Sequence, residues 1–317
     1  MAQTSENAAD RDESPESDER PLFMLAFDHR KSIRPLFGIA GEPTAADRER
    51  IADVKLLIFE SLLASLDRLP AGARAGLLTD EETGAEVLRR AGHADVVASV
   101  AVERSGQKEF RFEYGDDFKA HIEEFRPEFV KALVRYNPGG DRDLNRRQAE
   151  RLKVLSDWLD TTGSELLFEL LVPAEPDQLA AVSQDPARYD RELRPGLVCA
   201  AVAELQGAGV QSRTWKIEGL DDTADCERVA ATVREGDPGA NCLILGRGAD
   251  EAKVEHWLRT AAPVPGFDGF AVGRTIWWDT IARHLAGEIG RDQATEVISG
   301  RYLHFVERYV TASAGGV

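Results

Sequence analysis

The segment QSRTWKIEGL, residues 211–220, places one lysine inside what otherwise reads as a buried strand. Lysine is scarce in this chain, eight against thirty-one arginines. Burying an unpaired charge costs on the order of several kcal/mol. Lys216 therefore either reaches water or is kept for its amine, which in the neutral form attacks a carbonyl to give a Schiff base. Side chains alternate along a strand, so Lys216 and Glu218 share one face while Trp215 and Ile217 share the other. In the run EFVKALVRYN (128–137), Lys131, Leu133 and Arg135 also share a face, so a second cation would enter the same interior. A neighbouring cation and loss of water both favour a neutral amine. The plainer reading is a structural lysine paired with a carboxylate.

Two further runs carry anion chemistry. NCLILGRG (241–248) and GFAVGR (269–274) each end in a Gly-Arg pair just before a helical pattern. Glycine lets the backbone approach an anion, amides at a helix start point at it, and arginine adds a forked donor. Gly246, Arg247, Gly248, Gly273 and Arg274 are thus candidate phosphate ligands, with an exposed arginine at a helix start as the alternative.

Such residues need a frame. Eight short apolar runs recur: 21–28, 75–80, 95–103, 128–137, 165–173, 213–220, 241–248 and 269–274. Stretches of helical period follow them at 44–66, 83–92, 116–126, 145–162, 194–207, 222–235, 250–262 and 275–287, and a last amphipathic helix covers about 291–310. Eight strand–helix alternations without a Pro/Gly/Ser-rich linker predict α/β architecture, a single (β/α)8 TIM barrel over 21–317. Residues 1–20, with seven acidic and two basic side chains, read as a disordered acidic tail.

Chemistry in such barrels gathers at the C-terminal ends of the strands. Those ends read Asp28-His29-Arg30, Asp80-Glu81, Arg135-Tyr136-Asn137, Glu169, Lys216-Ile217-Glu218, Gly246-Arg247-Gly248 and Gly273-Arg274. Arg30, Arg135, Asn137 and Glu218 are candidate substrate contacts, although Glu218 would equally pair with an arginine. His29 would act as a general acid or bind substrate, or else cap a loop. At Asp80 a carboxylate could orient a cation or cap the next helix.

Composition excludes several classes. A net charge of −17 argues against a general nucleic-acid binder. No apolar stretch reaches the roughly 18–20 residues of a membrane span, and no basic segment followed by an apolar run marks a secretory leader. Cys199, Cys226 and Cys242 are too few and scattered for a disulfide framework, which points to a reducing cytoplasm. The six histidines are dispersed without metal-ligand spacing, so no metal is expected. GAG (207–209) and GRG (246–248) lack the dinucleotide fingerprint, so no cofactor is expected. Trp257, Trp277 and Trp278 read as packing or as a contact between copies of the chain.

AFDHR, LVRYNP, FELLVP, WKIEGL, LGRGAD and GFAVGRTIWWD together carry a resemblance. From about Pro21 to Val310 the chain resembles the class I aldolase family of (β/α)8 barrels that includes tagatose-1,6-bisphosphate aldolase. It is more closely similar to the aldolase-like domain fused to some bacterial 5-dehydro-2-deoxygluconokinases of inositol catabolism. The resemblance implies a Schiff-base lysine at Lys216, proton transfer by Glu169, support from Asp28 and Lys131, and phosphate binding at Gly273 and Arg274. It departs at His29, where sugar bisphosphate aldolases usually have glutamine, so the substrate would differ. The implied substrate is 2-deoxy-5-keto-gluconate 6-phosphate, cleaved to dihydroxyacetone phosphate and malonic semialdehyde, with phosphorylation left to a separate kinase. Another phosphoketose (tagatose bisphosphate or a sulfosugar phosphate), or a non-catalytic barrel that binds sugar phosphate and regulates a kinase, are the alternatives.

Overall fold

The computed structural model describes residues 20–315. The tail expected over 1–20 lies, except for Arg20, outside the described residues. Eight strands form the barrel: β1 (Leu22–Ala26), β2 (Arg74–Asp80), β3 (Val97–Ala101), β4 (Phe129–Arg135), β5 (Glu165–Leu171), β6 (Thr214–Glu218), β7 (Asn241–Leu245) and β8 (Phe267–Val272). They pair in parallel in sequence order, and β8 returns to β1 to close the ring. Every strand falls on one of the eight apolar runs.

The helices are α1 (Ala45–Leu63), α2 (Glu81–Ala91), α3 (Phe118–Phe125), α4 (Arg142–Leu159), α5 (Pro176–Ala181), α6 (Pro186–Arg188), α7 (Arg194–Gly207), α8 (Thr223–Gly236), α9 (Glu251–Ala261), α10 (Arg274–Leu285) and α11 (Arg291–Ala314). Aspartates set many of their starts. Asp80, Asp141, Asp222 and Asp250 accept first-turn amides of α2, α4, α8 and α9, which satisfies donors that a helix cannot satisfy internally. Asp80 meets both of its expected roles: Oδ1 accepts from the Thr83 amide at 3.0 Å, and Oδ2 pairs with the buried Lys55 ammonium. The start of α10 differs, because its N-cap is Gly273 and offers no side chain.

The pleat sorts the strand residues as alternation requires. Trp215 and Ile217 join the apolar layer between barrel and helices, where the Trp215 and Phe168 rings sit 4.7 Å apart. Inside the barrel, Leu22, Met24, Val97, Phe129, Leu167, Leu243 and Ala271 form an apolar plug. At the β8–β1 seam, α11 sends the Tyr302 hydroxyl to the Phe23 carbonyl at 2.8 Å. Trp257 and Trp277 are buried in this packing and donate to Asp221 and to the Ala26 carbonyl. The three cysteines are free. No helix among the described residues is long and apolar enough to cross a membrane.

Candidate functional site

Strand register brings the key side chains together. Glu169 on β5 lies opposite Lys216 on β6, and the Lys216 Nζ is 3.0 Å from Glu169 Oε2. Lys131 enters from β4, with Nζ 3.2 Å from the same Glu169 oxygen, 2.6 Å from Asp28 Oδ2 and 2.9 Å from Glu103 Oε1. The two lysines are 2% and 0% exposed, so neither reaches bulk water. One carboxylate therefore bridges the two lysine nitrogens, and Asp28 lies on the far side of Lys131.

The electrostatics follow from that arrangement. Burial alone would raise the Asp28 carboxyl, but the Lys131 ammonium, helped by His29 and Lys216, holds it well below the ordinary range. Glu169 behaves alike: burial opposes ionisation, yet Lys131 and Lys216 lower it. Lys131 is desolvated too, but Asp28, Glu103 and Glu169 raise it, so it stays a permanent cation. Burial pushes the His29 imidazole down to about 4, with Asp28 pulling the other way and Arg274 and Lys216 adding to the fall. His29 is thus neutral at physiological pH. Its Nδ1 is buried without a hydrogen-bond partner, and its ring stands edge-on to Trp277.

Asp28, His29, Glu103, Glu169 and Lys216 line a cavity of about 720 Å³ at the strand C-terminal ends, shared with Arg30, Arg135, Glu218, Arg247, Gly248, Gly273 and Arg274. The β7–β8 side is built for close backbone approach. Gly248 has φ +70, and a Cβ there would lie 2.4 Å from Arg274 Nη2. At Gly273 a Cβ would meet the Ala26 carbonyl oxygen at 2.1 Å. Arg247 adopts φ +51, a strained choice for a non-glycine residue. The amides that open α10 carry no side-chain cap, and Arg274 Nε is buried without a partner. Backbone donors and one underused guanidinium therefore converge where an anion would fit.

Not every expected contact is free to meet a ligand. The Arg247 side chain is held by carboxylates of the cavity wall, with Nε 2.9 Å from Glu218 Oε1 and Nη1 2.8 Å from Asp190 Oδ2. Glu218 also accepts from the Val172 amide at 3.0 Å, and burial raises its carboxyl although Arg194 and Arg247 oppose this. The arginine pairing expected of Glu218 is the arrangement present. Arg30 is held by Glu103 at 2.8 Å and Glu113 at 2.9 Å. Asn137 does not line the cavity. Its amide group joins the Pro173 carbonyl, Gln178 and the Gly139 amide, so it clamps the loops after β4 and β5 and needs no ligand.

Sequence reasoning passed over three residues. Glu103 ends the third apolar run, as Glu169 lies in the fifth, and it holds both Lys131 and Arg30. Asp190 belongs to the segment between β5 and α7, where a π turn at Tyr189–Leu193 sets it against Arg247, and the buried Arg194 opens α7. Arg194 donates to the Gly219 carbonyl at 2.8 Å, fixing the end of β6.

The profile of a family described as "Uncharacterized protein conserved in bacteria (DUF2090)" matches residues 8–313. No curated protein sequence matches. Among solved structures, fructose-bisphosphate aldolase from Plasmodium falciparum superposes with a TM-score of 0.60 at 13% identity, over 95% of this chain and 93% of the other. Cgl0159 from Corynebacterium glutamicum gives 0.54 at 20% identity over 86% and 87%. A Schiff base-forming fructose-1,6-bisphosphate aldolase gives 0.51 at 16% identity over 86% and 95%. At these identities the likeness is one of fold.

Proposed function

The chain belongs to the DUF2090 family, and on that footing we propose that it is a class I aldolase acting through a Schiff base on Lys216. The observation that carries this reading is the buried chain Lys216–Glu169–Lys131–Asp28 at the mouth of the barrel. A lysine wanted only for packing needs one carboxylate; here a second, permanently charged lysine occupies the neighbouring carboxylates.

In the proposed mechanism the substrate phosphate rests on the Gly248 and Gly273 backbone and on Arg274. This sets the ketone over Lys216. Glu169, at hydrogen-bond distance from Nζ, takes the ammonium proton; the freed amine adds to the ketone carbon, and Glu169 returns the proton to the hydroxyl that leaves as water. The resulting iminium is an electron sink. Glu169, ionised again, takes the proton of the hydroxyl two carbons from the iminium carbon, while Asp28 holds Lys131 in place. The bond between that carbinol carbon and the carbon next to the iminium breaks, releasing an aldehyde and leaving an enamine. Protonation of the enamine and addition of water restore Lys216 and release the phosphorylated ketone. Neutral His29 hydrogen-bonds substrate without adding charge.

The leading substrate is 2-deoxy-5-keto-gluconate 6-phosphate, giving dihydroxyacetone phosphate and malonic semialdehyde. The support is the motif resemblance together with His29 in place of the glutamine usual in sugar bisphosphate aldolases. The test is turnover of this compound against tagatose bisphosphate and a sulfosugar phosphate, with dihydroxyacetone phosphate release coupled to its NADH-dependent reduction. Preference for the keto acid supports the assignment. Preference for either competitor, or no release from any, rejects it.

A further inference from the structure

Of the cations that line the cavity, Lys216, Arg30, Arg104 and Arg247 each contact at least one carboxylate, and Lys31 and Lys108 are exposed on its rim. Two half-buried arginines differ. Arg274 has one side-chain bond, to the Arg247 carbonyl at 3.2 Å, and Arg135 has one, to the Gln107 carbonyl at 3.0 Å. Among the described residues no carboxylate lies within ion-pair reach of either. In a chain of net charge −17 that is a specific arrangement. Glu109, another carboxylate on the cavity wall, is already taken by Arg147 at 3.0 Å and by Arg151.

The two arginines stand at opposite ends of the site. Arg135 ends β4 and Arg274 follows β8, and in a closed ring of eight strands in sequence order β4 and β8 face each other across the axis. Lys216, on β6, lies midway round the ring. A ligand in contact with both arginines would therefore cross the mouth of the barrel above the lysine. Gln107, whose backbone carbonyl holds Arg135, has its side-chain oxygen buried without a partner, so an acceptor waits on this residue for a donor such as a sugar hydroxyl. The loop bearing Gln107 is pinned to β4. Gln148, fully buried on α4, accepts from the Phe110 amide at 2.7 Å and donates to the Arg135 carbonyl at 3.0 Å.

The ends differ in what they can hold. The Arg274 end adds an uncapped helix start and glycine backbone, donors enough for a dianion. The helix after β4 begins under its own carboxylate, because Asp141 already accepts from the Asp143 and Leu144 amides. Among its half-buried groups the Arg135 end thus offers one planar fork, the geometry of a single carboxylate, with the exposed Lys108 next to Gln107 on the rim.

We infer that Arg135 and Gln107 form a distal subsite for a carboxylate and its adjacent hydroxyl, so that the substrate is a chain with phosphate at one end and carboxylate at the other. This deepens the aldolase reading and takes from it the role of Lys216, the phosphate seat at Arg274 and a substrate that carries both phosphate and carboxylate. The test therefore uses ligands without a ketone, which cannot form a Schiff base.

Calorimetric titration at pH 7.5 compares 6-phosphogluconate, glucitol 6-phosphate (its CH2OH analogue) and glucitol 1,6-bisphosphate. The acid should bind about 30-fold tighter than glucitol 6-phosphate, the scale of a charge-assisted hydrogen-bond pair, and the bisphosphate no tighter than the acid. Arg135→Met should bring the acid within about 3-fold of glucitol 6-phosphate, and Arg135→Lys should restore part of the gap. If the methionine variant fails to fold, Arg135→Gln is read in the same way. Equal wild-type binding of acid and alcohol, a gap that survives the loss of Arg135, or no binding of any ligand overturns the subsite; tighter binding of the bisphosphate overturns the carboxylate assignment. Failure of the aldolase reading shows separately, as loss of ketone trapping on Lys216.

Discussion

Replacing Lys131 by methionine keeps an apolar stem but removes the ammonium that touches Asp28, Glu103 and Glu169 at 2.6, 2.9 and 3.2 Å. Two of these carboxylates keep another cation, Glu103 through Arg30 and Glu169 through Lys216. Asp28 does not, since its other neighbour, His29, is neutral and 4.0 Å away. Removing one partner of a buried pair costs about 3–5 kcal/mol, and partial compensation places this substitution near the lower end, about 3 kcal/mol at pH 7.5. In the wild type the Asp28 carboxyl lies below its unfolded value, so its contribution is full above about pH 4 and is lost only at lower pH. In the variant burial acts without its main opponent and the carboxyl rises above the unfolded value. Asp28 then destabilises the variant at neutral pH, and the penalty fades as acid protonates it. The gap in urea-unfolding free energy between wild type and variant should therefore be large at pH 7.5 and smaller at pH 5. A loss below about 1 kcal/mol at pH 7.5, the scale of an exposed pair, or a gap that widens in acid would refute this reasoning.

Arg274→Ala should lower kcat/KM for a phosphorylated ketone by about 2–4 kcal/mol of transition-state binding, with hydroxyacetone still trapped on Lys216; equal loss for both ketones would place the phosphate elsewhere. Gly248→Ala forces an unfavourable φ of +70 and displaces the Arg274 guanidinium, so KM for the phosphate-bearing substrate should rise about tenfold, with about 1–2 kcal/mol of backbone strain. An unchanged KM would mean that this loop does not meet the phosphate. His29 carries a folded value of about 4, below its unfolded value, so stability is flat above about pH 6.5 and falls by at most about 3 kcal/mol as pH drops from 6.5 to 4. His29→Gln should remove that slope in unfolding measurements across this range, and a slope that persists would assign it to other groups.

The barrel was legible because each buried strand is a short apolar run that ends in polar residues. The inward turn of Lys216 followed from alternation, since two bulky apolar neighbours, Trp215 and Ile217, needed the helix-facing side. Partnership was less legible. Glu103 sits at the end of an apolar run just as visibly as Glu169, but the match of its carboxylate to Lys131 depends on the ring closing and on register between β3 and β4. Asn137 looked like a strand-end ligand; its role as a loop clamp is set by Gln178, 41 residues away. Arg247 stood in the expected motif, yet its side chain answers to Asp190 in a segment of single-turn helices whose period is too short to read. Local pattern gave the positions, and long-range pairing decided which groups remain available to a ligand.

The central claim is the Schiff base on Lys216. Incubation with dihydroxyacetone phosphate and borohydride, followed by intact-protein and peptide mass measurement, tests it directly. The account predicts one stable adduct per chain, on the peptide containing Lys216, and none in Lys216→Ala that retains the wild-type circular dichroism spectrum. No adduct on the wild type, or one that persists unchanged in Lys216→Ala, would contradict it.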